Sequence, residues 1–156
     1  MGANRARSRE EEADHLLALY GGEPARVMGT VETQLAVLAS RAQTLLSLTS
    51  ITITVTGFSG ASIAKSGPLA AALIVLGLVF VLLGAALAIS GILAVEWTTA
   101  IAPAPLRDAL LHALARRDEK TQAYSRALYF VITGLAAYVA SVSLLLLGAA
   151  GPPRPP

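Results

Sequence analysis

The run LAAALIVLGLVFVLLGAALAISGILAV, residues 69–95, holds 27 residues with no charge and one polar side chain, Ser90. A bilayer is spanned by a helix of roughly 20 apolar residues, so this stretch reads as a membrane-spanning helix. The uncharged window around it covers 66–95, and two more follow the same rule at 42–64 and 127–153. All 12 Lys and Arg and all 10 Asp and Glu lie outside these three windows. The chain of 156 residues is 54% hydrophobic and 14% charged, against about 25% charged for a soluble domain. Outside the windows 76 residues remain, too few for a large folded domain beside the membrane part. The absence of cysteine excludes disulfides, thiol catalysis and thiolate metal sites.

The segment 127–148 matches the first in quality, since ALYFVITGLAAYVASVSLLLL is followed by Gly148. The segment 45–63 is more polar, with nine apolar residues, eight serines or threonines and two glycines. Its run Ile51-Thr52-Ile53-Thr54-Val55-Thr56 alternates with period two, as a half-buried strand would. A lone strand leaves its backbone unsatisfied in lipid and a helix does not, so 45–63 is expected to be the first spanning helix. It begins behind a long mixed-charge segment and lacks the charged start, short core and cleavage site of a signal peptide.

Between the spans, Val27, Val31, Leu35, Leu38 and Ala42 recur at three- and four-residue spacings and predict an amphipathic helix over 25–44. Pro103 and Pro105 open a helical connection over 103–126, whose apolar face is Leu106, Leu110, Ala113 and Leu114. Residues 1–24 read as a flexible charged segment and 149–156 as a Pro-rich tail. The expected fold is thus an all-α membrane protein: a hairpin of spanning helices plus a third, with amphipathic cytoplasmic helices. Arg5, Arg7, Arg9, Arg26 and Arg41 precede the first span, and Arg107, Arg116, Arg117, Lys120 and Arg126 lie between the second and third. Only Lys65 and Arg154 fall on the other side. The positive-inside rule then places the N-terminus and long connection of this multi-pass protein in the cytoplasm.

Small residues recur every seven positions: Ala70, Gly77, Gly84 and Gly91 in the second span, and Ala127, Gly134, Ser141 and Gly148 in the third. Ser47, Thr54 and Ala61 do the same in the first. This spacing predicts close, gently left-handed packing of the three helices. A pore lined by the Ser/Thr face would need a homo-oligomer.

Little points to catalysis. Gly57-Phe58-Ser59-Gly60 is similar to the GxSG pattern of rhomboid proteases, but a serine nucleophile needs a base within reach, and the only histidines, His15 and His112, belong to the charged segments. The spans carry no ionisable side chain of the kind that marks proton relays. No cofactor, metal or nucleic acid is expected, and no catalytic residue. The basic residues between the spans serve topology and headgroup contact, or else an anionic ligand, for which Arg41, Arg116, Arg117, Lys120 and Arg126 are candidates.

Two segments carry a family resemblance. Residues 38–48, LASRAQTLLSL, resemble the entry to the first membrane helix of the Pycsar transmembrane effectors, where a basic residue and alanine precede a Leu-Leu run. Residues 116–128, RRDEKTQAYSRAL, are similar to the basic, tyrosine-containing approach to their last helix. Where the family often has an acid two positions before the basic residue, this chain has Ala39. The resemblance implies a membrane effector of bacterial antiphage defence, which responds to a cyclic pyrimidine nucleotide made by a partner cyclase and impairs the inner membrane. The residues themselves also allow a non-enzymatic scaffold for a partner membrane protein, or a small oligomeric channel.

Overall fold

A computed structural model describes residues 8–65, 67–93 and 104–149. Four helices make up the described chain: α1 (Arg9–Leu19), α2 (Pro24–Ala64), α3 (Pro68–Gly91) and α4 (Leu106–Ala149). The last three are long and apolar enough to cross a membrane. Parts of the expected 1–24, 69–95, 103–126 and 149–156 segments, namely 1–7, 94–95, 103 and 150–156, lie outside the described residues.

Each helix begins and ends for local reasons. The Ser8 hydroxyl caps α1 by accepting from the Glu11 amide, and Glu10, Glu11 and Glu12 sit in the first turn, where the helix dipole favours acids. At its other end the Gly22 amide donates to Leu17 and the Gly21 amide to Ala18, a Schellman stop. The two glycines adopt φ of +60° and +72°, a conformation that costs other residues energy. Pro24 and Pro68 open α2 and α3 at positions where a missing amide does no harm.

Two sequence expectations change. Residues 9–19, expected within a flexible segment, form α1 and pack against the starts of α2 and α4 through Ala13, Val27, Val31, Leu110 and Leu114. The amphipathic and spanning pieces expected as separate helices, 25–44 with 45–63 and 103–126 with 127–148, are each one continuous helix, of 41 and 44 residues. No proline or glycine interrupts either junction, so nothing ends the hydrogen-bonded ladder where the apolar stretch begins. At 1.5 Å per residue these helices are about 60 and 65 Å long, twice the roughly 30 Å of a hydrocarbon core. Both are thus longer than a spanning helix needs to be, and their N-terminal parts form a two-helix stalk with α1 at its far end.

In the spanning part, α3 runs antiparallel to α2 and α4 and packs most closely on α4. A Cβ built on Gly77 would lie 2.8 Å from the Gly134 carbonyl oxygen, and one on Gly84 2.9 Å from the Ala127 carbonyl oxygen. One on Gly91 would lie 2.6 Å from the Ala123 Cβ. One heptad further, the buried Ser141 hydroxyl donates to the Ala70 carbonyl at 2.7 Å. From Ala70 with Ser141 through Gly77 with Gly134 to Gly84 with Ala127, each step of seven along α3 meets a step of seven back along α4, as the small-residue spacing predicts, whereas Gly91 meets Ala123, only four positions before Ala127; nothing is described of the surroundings of Gly148.

For α2 the expected seam is displaced. Ser47 and Thr54 are exposed and donate to their own helix at Gln43 and Ser50. The buried stripe is Leu38, Ala42, Leu45, Thr49, Thr56 and Ile63, the same heptad shifted by two positions. The hydroxyls of Thr49, Thr52 and Thr56 likewise return to carbonyls four residues back, at 2.7, 2.9 and 2.8 Å. Hydroxyls satisfied in this way leave the alternating Ile/Thr run helical and tolerable in an apolar medium.

Candidate functional site

Above the spanning helices the two stalk helices diverge enough to leave a groove of about 300 Å³, lined by Thr33, Gln34, Val37, Leu38 and Arg41 of α2 and by Arg117 and Thr121 of α4. Arg41 is the last charged residue before the uncharged stretch of α2, so the groove lies where the charged part of that helix gives way to its apolar part. Val37 and Leu38 are its apolar residues, and Arg41 and Arg117 are its cationic ones.

Those two arginines differ in their surroundings. Arg41 is exposed and has no ion pair or hydrogen bond with any described residue. Arg117 is held on three sides. Its Nη2 donates to Glu12 Oε2 at 2.9 Å and to Asp118 Oδ1 at 2.7 Å, and its Nη1 donates to the other Glu12 oxygen and to Gln34 Oε1 at 3.2 Å. The Glu12 hydrogen bonds are the chief reason that the Arg117 guanidinium is held above its ordinary pKa. Partial burial alone would raise the Asp118 carboxyl, but hydrogen bonds from Arg117 and Arg9 outweigh it and bring the group below the usual carboxylate range. Glu12 comes from α1, and two further pairs fasten that helix: Arg9 to Asp118 at 3.0 Å and Arg107 to Asp14 at 2.9 Å.

The five basic residues singled out in the sequence thus part company. Arg41 and Arg117 both line the groove, from its two helices. Lys120 does not line it; its Nζ donates to the Ile92 carbonyl at 2.8 Å, where a cation satisfies an orphan carbonyl and the dipole at the end of α3. Arg116 is half-buried and Arg126 exposed, and neither lines the groove.

No protein-family model, curated protein or solved structure matches this chain.

The chemistry therefore rests on the residues. Gln34, Thr33, Thr121 and Glu12 escape a sequence reading, because the threonines and Gln34 look like an ordinary polar helix face. Glu12 carries a weak signal: α1 is acid-rich opposite an arginine-rich α4, which is charge complementarity between distant segments. Thr33 and Thr121 already donate to the Gly29 and Arg117 carbonyls. Among the described residues that line the groove, the cation without an ion-pair partner is Arg41, while the Arg117 fork is held by its carboxylate partners. Ser59, in the GxSG run, donates to the Val55 carbonyl and lies 3.3 Å from the Tyr138 hydroxyl. Among the described residues no three metal-ligating side chains cluster.

Proposed function

We propose that this chain is a membrane effector of bacterial antiphage defence, set in the inner membrane with its stalk in the cytoplasm. A cyclic pyrimidine nucleotide occupies the α2–α4 groove, and the spanning helices respond by impairing the membrane. The observation that carries this reading is that Arg41 and Arg117 line, from opposite helices, one groove whose walls are the same unbroken helices that enter the apolar layer. Guanidinium groups suit a phosphate diester, and the apolar wall of Val37 and Leu38 suits the face of a base. A ligand that draws the stalks together shifts α2 and α4 along their length, because no break absorbs the movement. It can do so only to the extent that it prefers one arrangement over the other.

Three helices enclose no aqueous path, so impairment calls for several copies acting together. The ligand is the product of a partner cyclase, and the chain performs no catalysis itself. Arg41 and Arg117 are the ligand contacts in this reading, and Lys120 is an architectural residue.

Dye-filled liposomes carrying the purified protein test the proposal. Cyclic CMP or cyclic UMP is expected to release dye, and the other 3′,5′-cyclic nucleotides to release less. Retention of the dye with both pyrimidine nucleotides, at concentrations far above those in a signalling cell, contradicts it.

A further inference from the structure

We infer that α1 is a tethered competitor for the groove. The Glu12 carboxylate occupies, on Arg117, the place taken by a phosphate group entering between α2 and α4, so anion binding and α1 docking exclude one another. This rests on the reading of the groove as an anion site, and it adds the element that keeps the site closed.

The geometry is specific. Both Glu12 oxygens accept from the two terminal nitrogens of Arg117, and the same planar fork matches a phosphate group equally well. Gln34 of the groove wall reaches the same Nη1, so Glu12 sits on the edge of the guanidinium that the groove addresses. With Glu12 in place, the two terminal nitrogens of Arg117 are taken up by Glu12, Asp118 and Gln34, and an anion meets an occupied fork. Departure of Glu12 frees one edge of that fork, while Asp118, which also holds Nε at 3.1 Å, keeps it oriented.

α1 is also built to leave. Of its 11 residues only Ala13 is buried, with Leu16 and Leu17 half-buried against the same cluster. The ion pairs described between α1 and α4 are solvent-exposed or partly exposed, and exposed pairs are weak in water. Gly21 and Gly22, both at positive φ, join it to α2 without a side chain to lock the angle. An element with so few buried contacts belongs to the low-stability end of a fold, and a modest preference of the ligand for the open form is enough to release it.

The phosphate group can belong to a soluble nucleotide or to a lipid headgroup, because the groove ends at Arg41 beside the membrane. The test uses the full chain in nanodiscs and follows hydrogen exchange of residues 9–19. One arm adds cyclic CMP or inorganic pyrophosphate to discs of phosphatidylcholine, and the other replaces part of that lipid by phosphatidylglycerol. At least one arm is expected to speed exchange of α1 by about tenfold or more, and the arm that does so identifies the source. Glu12→Gln is expected to bind the effective anion about fivefold more tightly, the scale of a single partly exposed ion pair, and Arg117→Ala to bind it less tightly than wild type.

Unchanged α1 exchange in both arms overturns the inference, as does Glu12→Gln binding no tighter. The exchange measurement on the wild type needs no variant to fold. Release of α1 by pyrophosphate or lipid, with no leakage on adding nucleotide, would retain this inference and defeat the proposed function. Leakage with nucleotide and a static α1 would do the reverse.

Discussion

Gly77 of α3 and Gly134 of α4 approach so closely that a Cβ on either would press on the backbone of the other, 2.8 Å from the Gly134 oxygen or 2.6 Å from the Gly77 oxygen. Backbone cannot rotate away as a side chain can. Gly134→Ala is therefore expected to cost about 1–3 kcal/mol through overpacking. Gly57, which has nothing within 4 Å of its built Cβ, supplies the contrast: Gly57→Ala should be neutral or stabilise by up to ~1 kcal/mol through helix propensity. Thermal unfolding in a mild detergent distinguishes the two. Equal effects would show that α3 and α4 do not meet at these glycines.

Lys120 offers a second test, because it separates architecture from ligand binding. Lys120→Met removes the cation from the end of α3, where it bonds the Ile92 carbonyl. A loss of about 1 kcal/mol of stability is expected, with nucleotide affinity unchanged. A large fall in affinity with no loss of stability would return Lys120 to the ligand site.

The docking of α1 should depend on pH in one direction. Hydrogen bonds from arginines lower the Asp14 and Asp118 carboxyls in the folded state. A carboxyl lowered on folding contributes stability that is complete above its unfolded value, about 3.9 for aspartate, and is lost as pH falls through the folded value. Hydrogen exchange of residues 9–19 should thus stay flat from about pH 5 to 8 and, after correction for intrinsic rates, rise below about pH 4. Loosening that begins near neutrality would mean that other groups hold α1.

The α3–α4 seam was legible from the chain alone because Gly77, Gly84, Gly91 and Gly134 are small wherever they are read, and close approach is the one thing that small residues permit. The seam of α2 was not. Serine and threonine occur on every side of that helix and bond back to their own carbonyls, so polarity does not tell Thr49, which is buried, from Thr54, which is exposed. The continuity of α2 and α4 was obscured by a change of solvent at Arg41 and Arg126 that the helix itself ignores. In the candidate site, Arg41 and Arg117 were legible as basic residues near the membrane. Their division from Lys120 follows from where α3 stops, and the Glu12 contact joins residues 105 positions apart. Local pattern reports neither.

The central claim is that the groove between Arg41 and Arg117 receives a cyclic pyrimidine nucleotide. Calorimetric titration of cyclic CMP and cyclic UMP into the full chain in nanodiscs, beside the Arg41→Ala variant, tests it most directly. Saturable binding to the wild type is expected, weakened about tenfold by loss of the charge-assisted contact in the variant. No binding of either nucleotide, or equal affinity in wild type and Arg41→Ala, would contradict the claim.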